Sequence, residues 1–109
     1  MGTRVRPAAL DGHSLEAELS LDPETKAKVE VVVLDILRRI GPATDDQIVT
    51  IYHSRAEHYP GIPNVTEQRI RTARATAVRK GLVGANAVAG VSRHGNPATR
   101  WQLAINPHA

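Results

Sequence analysis

Two pieces of punctuation, Asp22-Pro23-Glu24 and Gly41-Pro42, constrain this chain more than any other feature. Aspartate caps a helix well, proline suits the first helical position, where its missing N–H is not needed, and an acid there meets the positive end of the helix dipole. Glycine then takes a left-handed closing conformation and proline cannot continue the ladder. A helix is therefore predicted from Pro23 to Ile40. Ala27, Val31, Leu34 and Leu37 mark one apolar face, and Val29, Val32, Val33, Ile36 and Ile40 widen it past the usual single stripe. Only a narrow charged strip remains, made of Lys26, Lys28, Asp35, Arg38 and Arg39. Such a helix is expected to meet two partners: its own core, and either the Leu15–Leu21 segment or a second subunit. A homodimer stands here against burial of the helix in one monomeric core.

The same kind of signal recurs downstream. Thr44-Asp45-Asp46 opens a second helix with Ile48, Val49, Ile51 and Tyr52 on its buried side, ending near Glu57. His58 to Asn64 is a proline-punctuated connection. Thr66 caps a third helix, with Glu67 and Gln68 in its first turn and Gly81 closing it. On a wheel of about 100° per residue, Ile70, Ala73 and Ala77 fall on one side with Val78 at the edge. Gln68, Thr72, Ala75 and Arg79 fall opposite, flanked by Arg69 and Arg71. Leu82 to Val91 then looks like a strand, Ser92 to Pro97 is turn chemistry, and Ala98 to Leu103 alternates so that Thr99, Trp101 and Leu103 are expected to face inward. Residues 1–21 form an N-terminal arm, within which Leu15, Ala17, Leu19 and Leu21 alternate with polar residues as in a short strand. The domain is expected over 22–104 and a tail over 105–109.

Charge is distributed unevenly. From Gly61 onward Arg69, Arg71, Arg74, Arg79, Lys80, Arg93 and Arg100 face a single acid, Glu67, a balance of +6 in a chain whose total is only +3. Arginines on a surface helix are often merely solvated, but a basic half of this kind is the electrostatic footprint of a nucleic-acid-binding surface. There is no cysteine, which excludes disulfides and thiolate metal sites, and no phenylalanine, which disfavours base-stacking platforms for single strands. His53 and His58 are five apart and do not share a helix face, Asp45 and Asp46 are first-turn acids, and no P-loop is present, so no enzyme, cofactor or metal is expected. Neither a signal-peptide run nor a bilayer-length apolar stretch is seen, and a cytoplasmic location is expected.

A helix in the major groove can set arginine on guanine and glutamine or threonine on other base edges, and Gln68, Arg71, Thr72 and Arg79 are the candidate readers. Arg69, Lys80, Arg93 and Arg100 are the candidate phosphate contacts, with His94 beside them on the hairpin. Arg74 lies on the wheel between Ile70 and Val78; it serves either DNA or an acid such as Asp45 or Asp46.

Taken together, Gly-Pro-Ala-Thr-Asp-Asp-Gln-Ile (41–48), Ile-Arg-Thr-Ala-Arg-Ala-Thr-Ala-Val-Arg-Lys-Gly-Leu-Val (70–83) and Gly-Asn-Pro-Ala-Thr-Arg-Trp-Gln-Leu (95–103) resemble the small winged helix-turn-helix proteins of actinobacteria and their phages over about residues 24–103. The resemblance implies an α+β winged helix-turn-helix, a three-helix core plus a C-terminal two-stranded β-hairpin wing. It also implies that the helix with Arg69, Arg71, Thr72 and Arg74 is the recognition helix and that Arg93 to Asn96 is the wing tip. Ala73 and Ala77 are smaller than the aliphatics usual in such proteins, and Gly84 to Gly90 carries less charge than their first wing strand. The expected function is sequence-specific binding of double-stranded DNA by a transcriptional regulator. The alternatives are a protein-docking or dimerisation module, an architectural factor bending DNA in phage recombination, and a binder of double-stranded RNA. No small-molecule ligand and no membrane partner is expected.

Overall fold

The computed structural model describes residues 22–104, and the arm and strand expected over 1–21 and the tail over 105–109 lie outside the described residues. Helix α1 (Pro23–Ile40), α2 (Asp45–His58) and α3 (Glu67–Arg79) come first, followed by strands β1 (Val83–Ala85), β2 (Gly90–Val91), β3 (Pro97–Ala98) and β4 (Trp101–Leu103).

Local chemistry sets each helix boundary. Asp22 accepts the Thr25 amide at 2.7 Å and Pro23 occupies the first position of α1, while Gly41, at φ 79°, returns its N–H to the Leu37 carbonyl. Thr44 and Gln47 form a reciprocal capping box at the start of α2. Thr66 Oγ1 accepts the Arg69 amide at 3.1 Å to open α3.

The three helices bury Val29, Val33, Ile36 and Leu37 of α1, Ile48, Val49 and Tyr52 of α2, and Ile70, Ala73 and Ala77 of α3 around one core closed by Val83. With no phenylalanine available, Tyr52 is the largest fully buried side chain, and its hydroxyl donates to the Pro63 carbonyl at 2.7 Å. That bond fixes the α2–α3 connection, and His53 Nε2, donating to the Val65 carbonyl at 3.1 Å, fixes it a second time. The broad apolar surface of α1 is divided: Val32 and Leu34 are partly buried, whereas Val31 is 63% exposed.

The hairpin differs from the expected uninterrupted pair of strands. β1 pairs antiparallel with β4 (Val83 opposite Leu103, Ala85 opposite Trp101), and β2 pairs with β3 (Gly90 opposite Ala98), so the ladder is split in two. Asn86 to Ala89 on the outgoing arm oppose only Thr99 and Arg100 on the return, and the extra residues bulge out. Asn86 holds the bulge, its Nδ2 donating to Gln102 Oε1 and its Oδ1 accepting the Val88 amide, each at 2.8 Å. Because the ladder breaks there, Thr99 is exposed instead of facing inward, while Trp101 and Leu103 pack on the core as expected.

A third backbone segment joins the base of the hairpin. Ala43, between α1 and α2, donates to the Trp101 carbonyl at 3.0 Å and accepts the Trp101 amide at 2.7 Å. Gly90 is needed nearby, since a Cβ at that position would lie 2.8 Å from the Thr44 methyl and 3.0 Å from Arg100 Cγ. The hairpin is thereby held against the start of α2. Among the described residues no helix is long and apolar enough to cross a membrane.

Candidate nucleic-acid interface

The polar face of α3 forms as the wheel requires. Gln68 and Arg79 are exposed and Thr72 is half-buried, all on the side away from the buried Ile70, Ala73 and Ala77. Arg79 Nη2 donates to Thr76 Oγ1 one turn back at 3.0 Å, a local bond that leaves the guanidinium at the surface.

The arginines beside that face are placed differently from the expectation. Arg69 is only 9% exposed, and its Nε has no hydrogen-bond partner among the described residues, so it is corrected from a phosphate contact to a buried side chain. The wheel sets it about 40° from Ala73, and alanine is too small to occupy that flank alone.

Arg71 and Arg74 are drawn to carboxylates. Arg71 Nη2 donates to Glu67 Oε2, one turn earlier on α3, and to Asp46 Oδ1 of α2, both at 2.8 Å, and its Nη1 lies 3.6 Å from Asp45 Oδ2. Arg74 grips Asp45 with both arms of its fork, Nε to Oδ1 at 2.9 Å and Nη2 to Oδ2 at 2.8 Å, while its Cζ sits 4.1 Å from the centroid of the Trp101 ring. Of the two roles left open for Arg74, the pairing with an acid is the one observed.

The hairpin tip joins the same cluster. The Arg93 amide donates to Asp46 Oδ2 at 2.8 Å and its Nη2 to Glu67 Oε2 at 3.1 Å. Three guanidinium groups (Arg71, Arg74, Arg93) thus meet three carboxylates (Asp45, Asp46, Glu67), and the local charge is zero. The Arg71 hydrogen bond is the main cause of holding the Glu67 carboxyl below its ordinary range, and the Arg93 backbone N–H does the same for Asp46. Glu67 in turn raises Arg71. The tip is accordingly tied down onto the starts of α2 and α3, where a projecting wing was expected. An open cleft of about 410 Å³ remains between them, lined by Thr44, Asp46, Arg71, Arg93, His94 and Trp101.

The other expected phosphate contacts lie outside this cluster. Lys80 is exposed but bridges to Glu30 of α1 at 3.0 Å. His94 is exposed at the tip, and Arg100 is half-buried, its Nη2 reaching the Pro42 carbonyl at 3.5 Å. A further basic group was missed in the sequence: Arg38, Arg39 and Arg55 all converge on Asp35 at 2.7–2.9 Å, an excess of two positive charges at the C-terminal part of α1. Their guanidinium bonds hold Asp35 far below the usual carboxylate range. The spacing of Asp35 from Arg38 and Arg39 was a readable signal, whereas Arg55 comes from another helix. Among the described residues no set of His, Asp and Glu is arranged to hold a metal ion.

Compared with known proteins, the chain matches no family model and no curated sequence.

Proposed function

We propose that the domain is a winged helix-turn-helix that binds double-stranded DNA as a transcriptional regulator, with α3 in the major groove and the hairpin beside it. The observation that carries this reading is the two-way backbone pairing of Ala43 with Trp101. It ties the hairpin base to the α1–α2 connection, and the Arg93–Glu67 pair sets the hairpin tip beside the first turn of α3, so that helix and ribbon lie next to one another. That is the arrangement needed to engage base edges and backbone together.

Gln68, Thr72 and Arg79 are the readers in this proposal, with the small Ala75 among them permitting close approach. Lys80 and Arg100 meet phosphates, and His94 lies at the tip. Arg71 and Arg93 join them only by exchanging Asp46 and Glu67 for DNA oxygens. A phosphate and a carboxylate offer a guanidinium the same bidentate geometry, so duplex and protein compete for the same two arginines.

Selection of sites from random oligonucleotides, followed by fluorescence anisotropy, tests the reading. A selected duplex should bind at least about tenfold more tightly than random duplex, and Gln68→Ala should erase that ratio, since one good base contact carries about 1–3 kcal/mol. Absence of binding to any duplex at micromolar protein and low salt favours a docking module instead, a reading supported by the neutralised arginine cluster.

A further inference from the structure

We infer that α1 is the interface of a two-fold homodimer, packed antiparallel on α1 of a second copy and centred on Val31. The inference is independent of what α3 binds. Val29, Val33, Ile36 and Leu37 turn into the core, which leaves an apolar stripe of Ala27 and Val31 exposed on the other side of the same helix, with Leu34 half-buried at its edge, where it also packs on the core. Val31 at its middle is 63% exposed, although valine at a solvated helix position contributes neither propensity nor solubility.

The charges flanking the stripe specify the occupant. Read along the chain they run Glu24, Lys28, Asp35, Arg38: negative, positive, negative, positive. Two copies aligned in parallel would set like on like. Reversed about Val31, Glu24 meets Arg38 of the second copy, Lys28 approaches its Asp35, and Ala27 packs beside its Leu34. A two-fold axis requires such self-complementarity, because one patch must serve both subunits.

The existing ion pairs permit this exchange. Glu24 and Lys28 are paired at only 3.4 Å and both are exposed. Arg38, with its side chain 61% exposed, can leave Asp35 because Arg39 and Arg55 continue to neutralise that carboxylate. Within one chain Glu24 and Arg38 cannot touch, being about 21 Å apart along the helix at 1.5 Å per residue.

A single helix pair buries less than the roughly 1,600 Å² of a standard interface, so the association is weak and concentration matters. Sedimentation equilibrium on the whole chain at about 10 and 200 μM should show a rise from 11.8 kDa toward twice that mass. Val31→Glu should remain folded by circular dichroism and stay monomeric at both concentrations. Glu24→Lys and Arg38→Glu should each weaken association at least about fivefold, and the double swap should restore it. That rescue is diagnostic, because only a contact between chains can produce it. A monomeric mass at 200 μM, as expected if residues 1–21 cover the stripe instead, overturns the inference. So does a dimer that ignores Val31→Glu or a double swap that fails to rescue.

Discussion

Arg74 lies on the proposed reading helix, yet its geometry is that of a strut, and removing its partner separates the two roles. Arg74 and Asp45 share two parallel hydrogen bonds, and their side chains are only 17% and 15% exposed. Breaking a fully buried pair by removing one partner costs about 3–5 kcal/mol, whereas an exposed pair is worth at most about 1 kcal/mol. This pair lies between those limits. Asp45→Asn keeps one acceptor oxygen, and Trp101 still lies 4.1 Å beneath the guanidinium, so part of the stabilisation survives. The expected loss is about 1.5–3 kcal/mol, which in a domain of this size lowers the melting temperature by about 6–24 °C. Urea denaturation of Asp45→Asn, Arg74→Met and the double variant gives the coupling directly, methionine retaining the apolar stem over the indole. A coupling of about 1–2 kcal/mol is expected, and one under about 0.5 kcal/mol, the usual scatter of additivity, would refute the strut. The same Arg74→Met protein, assayed at 25 °C, should keep its ratio of selected to random duplex affinity. Collapse of that ratio would make Arg74 a base reader after all.

Three further outcomes follow from particular contacts. Glu67→Gln removes the carboxylate that holds both Arg71 and Arg93; one charge about 8 Å from a phosphate in water is about 0.5 kcal/mol, so affinity for any duplex should rise about two- to threefold by anisotropy, and an unchanged or lower affinity contradicts the competition. Burial pushes the Tyr52 hydroxyl from 10.0 up to about 12, so its contribution to stability is complete below pH 10 and lost as the pH rises through 12; Tyr52→Phe should start about 1 kcal/mol less stable for want of the Pro63 bond but decline less steeply over that window in urea titrations, and parallel declines would show that another group governs it. Gly90→Ala drives a Cβ to 2.8 Å from the Thr44 methyl, and should cost about 1–2 kcal/mol with faster amide exchange at Asn86 and Ser92; wild-type exchange there would mean the hairpin is not held by that approach.

The elements readable in the sequence were those whose determinants lie within one turn. Asp22, Thr44 and Thr66 each cap the amide three residues ahead, and the glycines closing α1 and α3 sit directly past the last turn. Burial of Ile70, Ala73 and Ala77 followed from helical period alone. The ion pairs did not, because Arg71 and Asp46 are 25 residues apart and Arg93 and Asp46 are 47 apart. Which carboxylate meets which guanidinium depends on how α2 and α3 cross; only the pairing of Arg74 with Asp45 or Asp46 is suggested by the wheel, because Arg74 falls beside the buried Ile70. Thr99 failed for a related reason: alternation assumes an unbroken ladder, and the Asn86 bulge ends it at Trp101, two residues short of Thr99.

The three-to-three cluster changes how the basic half of the chain must be counted, and salt dependence measures the difference. With the cluster closed, Arg79, Lys80 and Arg100 remain as cations on the proposed DNA side, Lys80 shared with Glu30. With Arg79 on base edges, Lys80 and Arg100 neutralise two phosphates, for a slope of log K against log salt of about −1.8 at 0.9 per contact. If DNA displaces Asp46 and Glu67, Arg71 and Arg93 are added, and four contacts steepen the slope to about −3.6. Glu67→Gln loosens both arginines, so a wild-type complex that leaves the cluster closed should steepen on that substitution, whereas one that already opens it should gain affinity at unchanged slope. A slope near zero in both proteins would mean that no phosphate is held at all, and the acid–guanidinium cluster would then be purely a clamp between two helices and a hairpin.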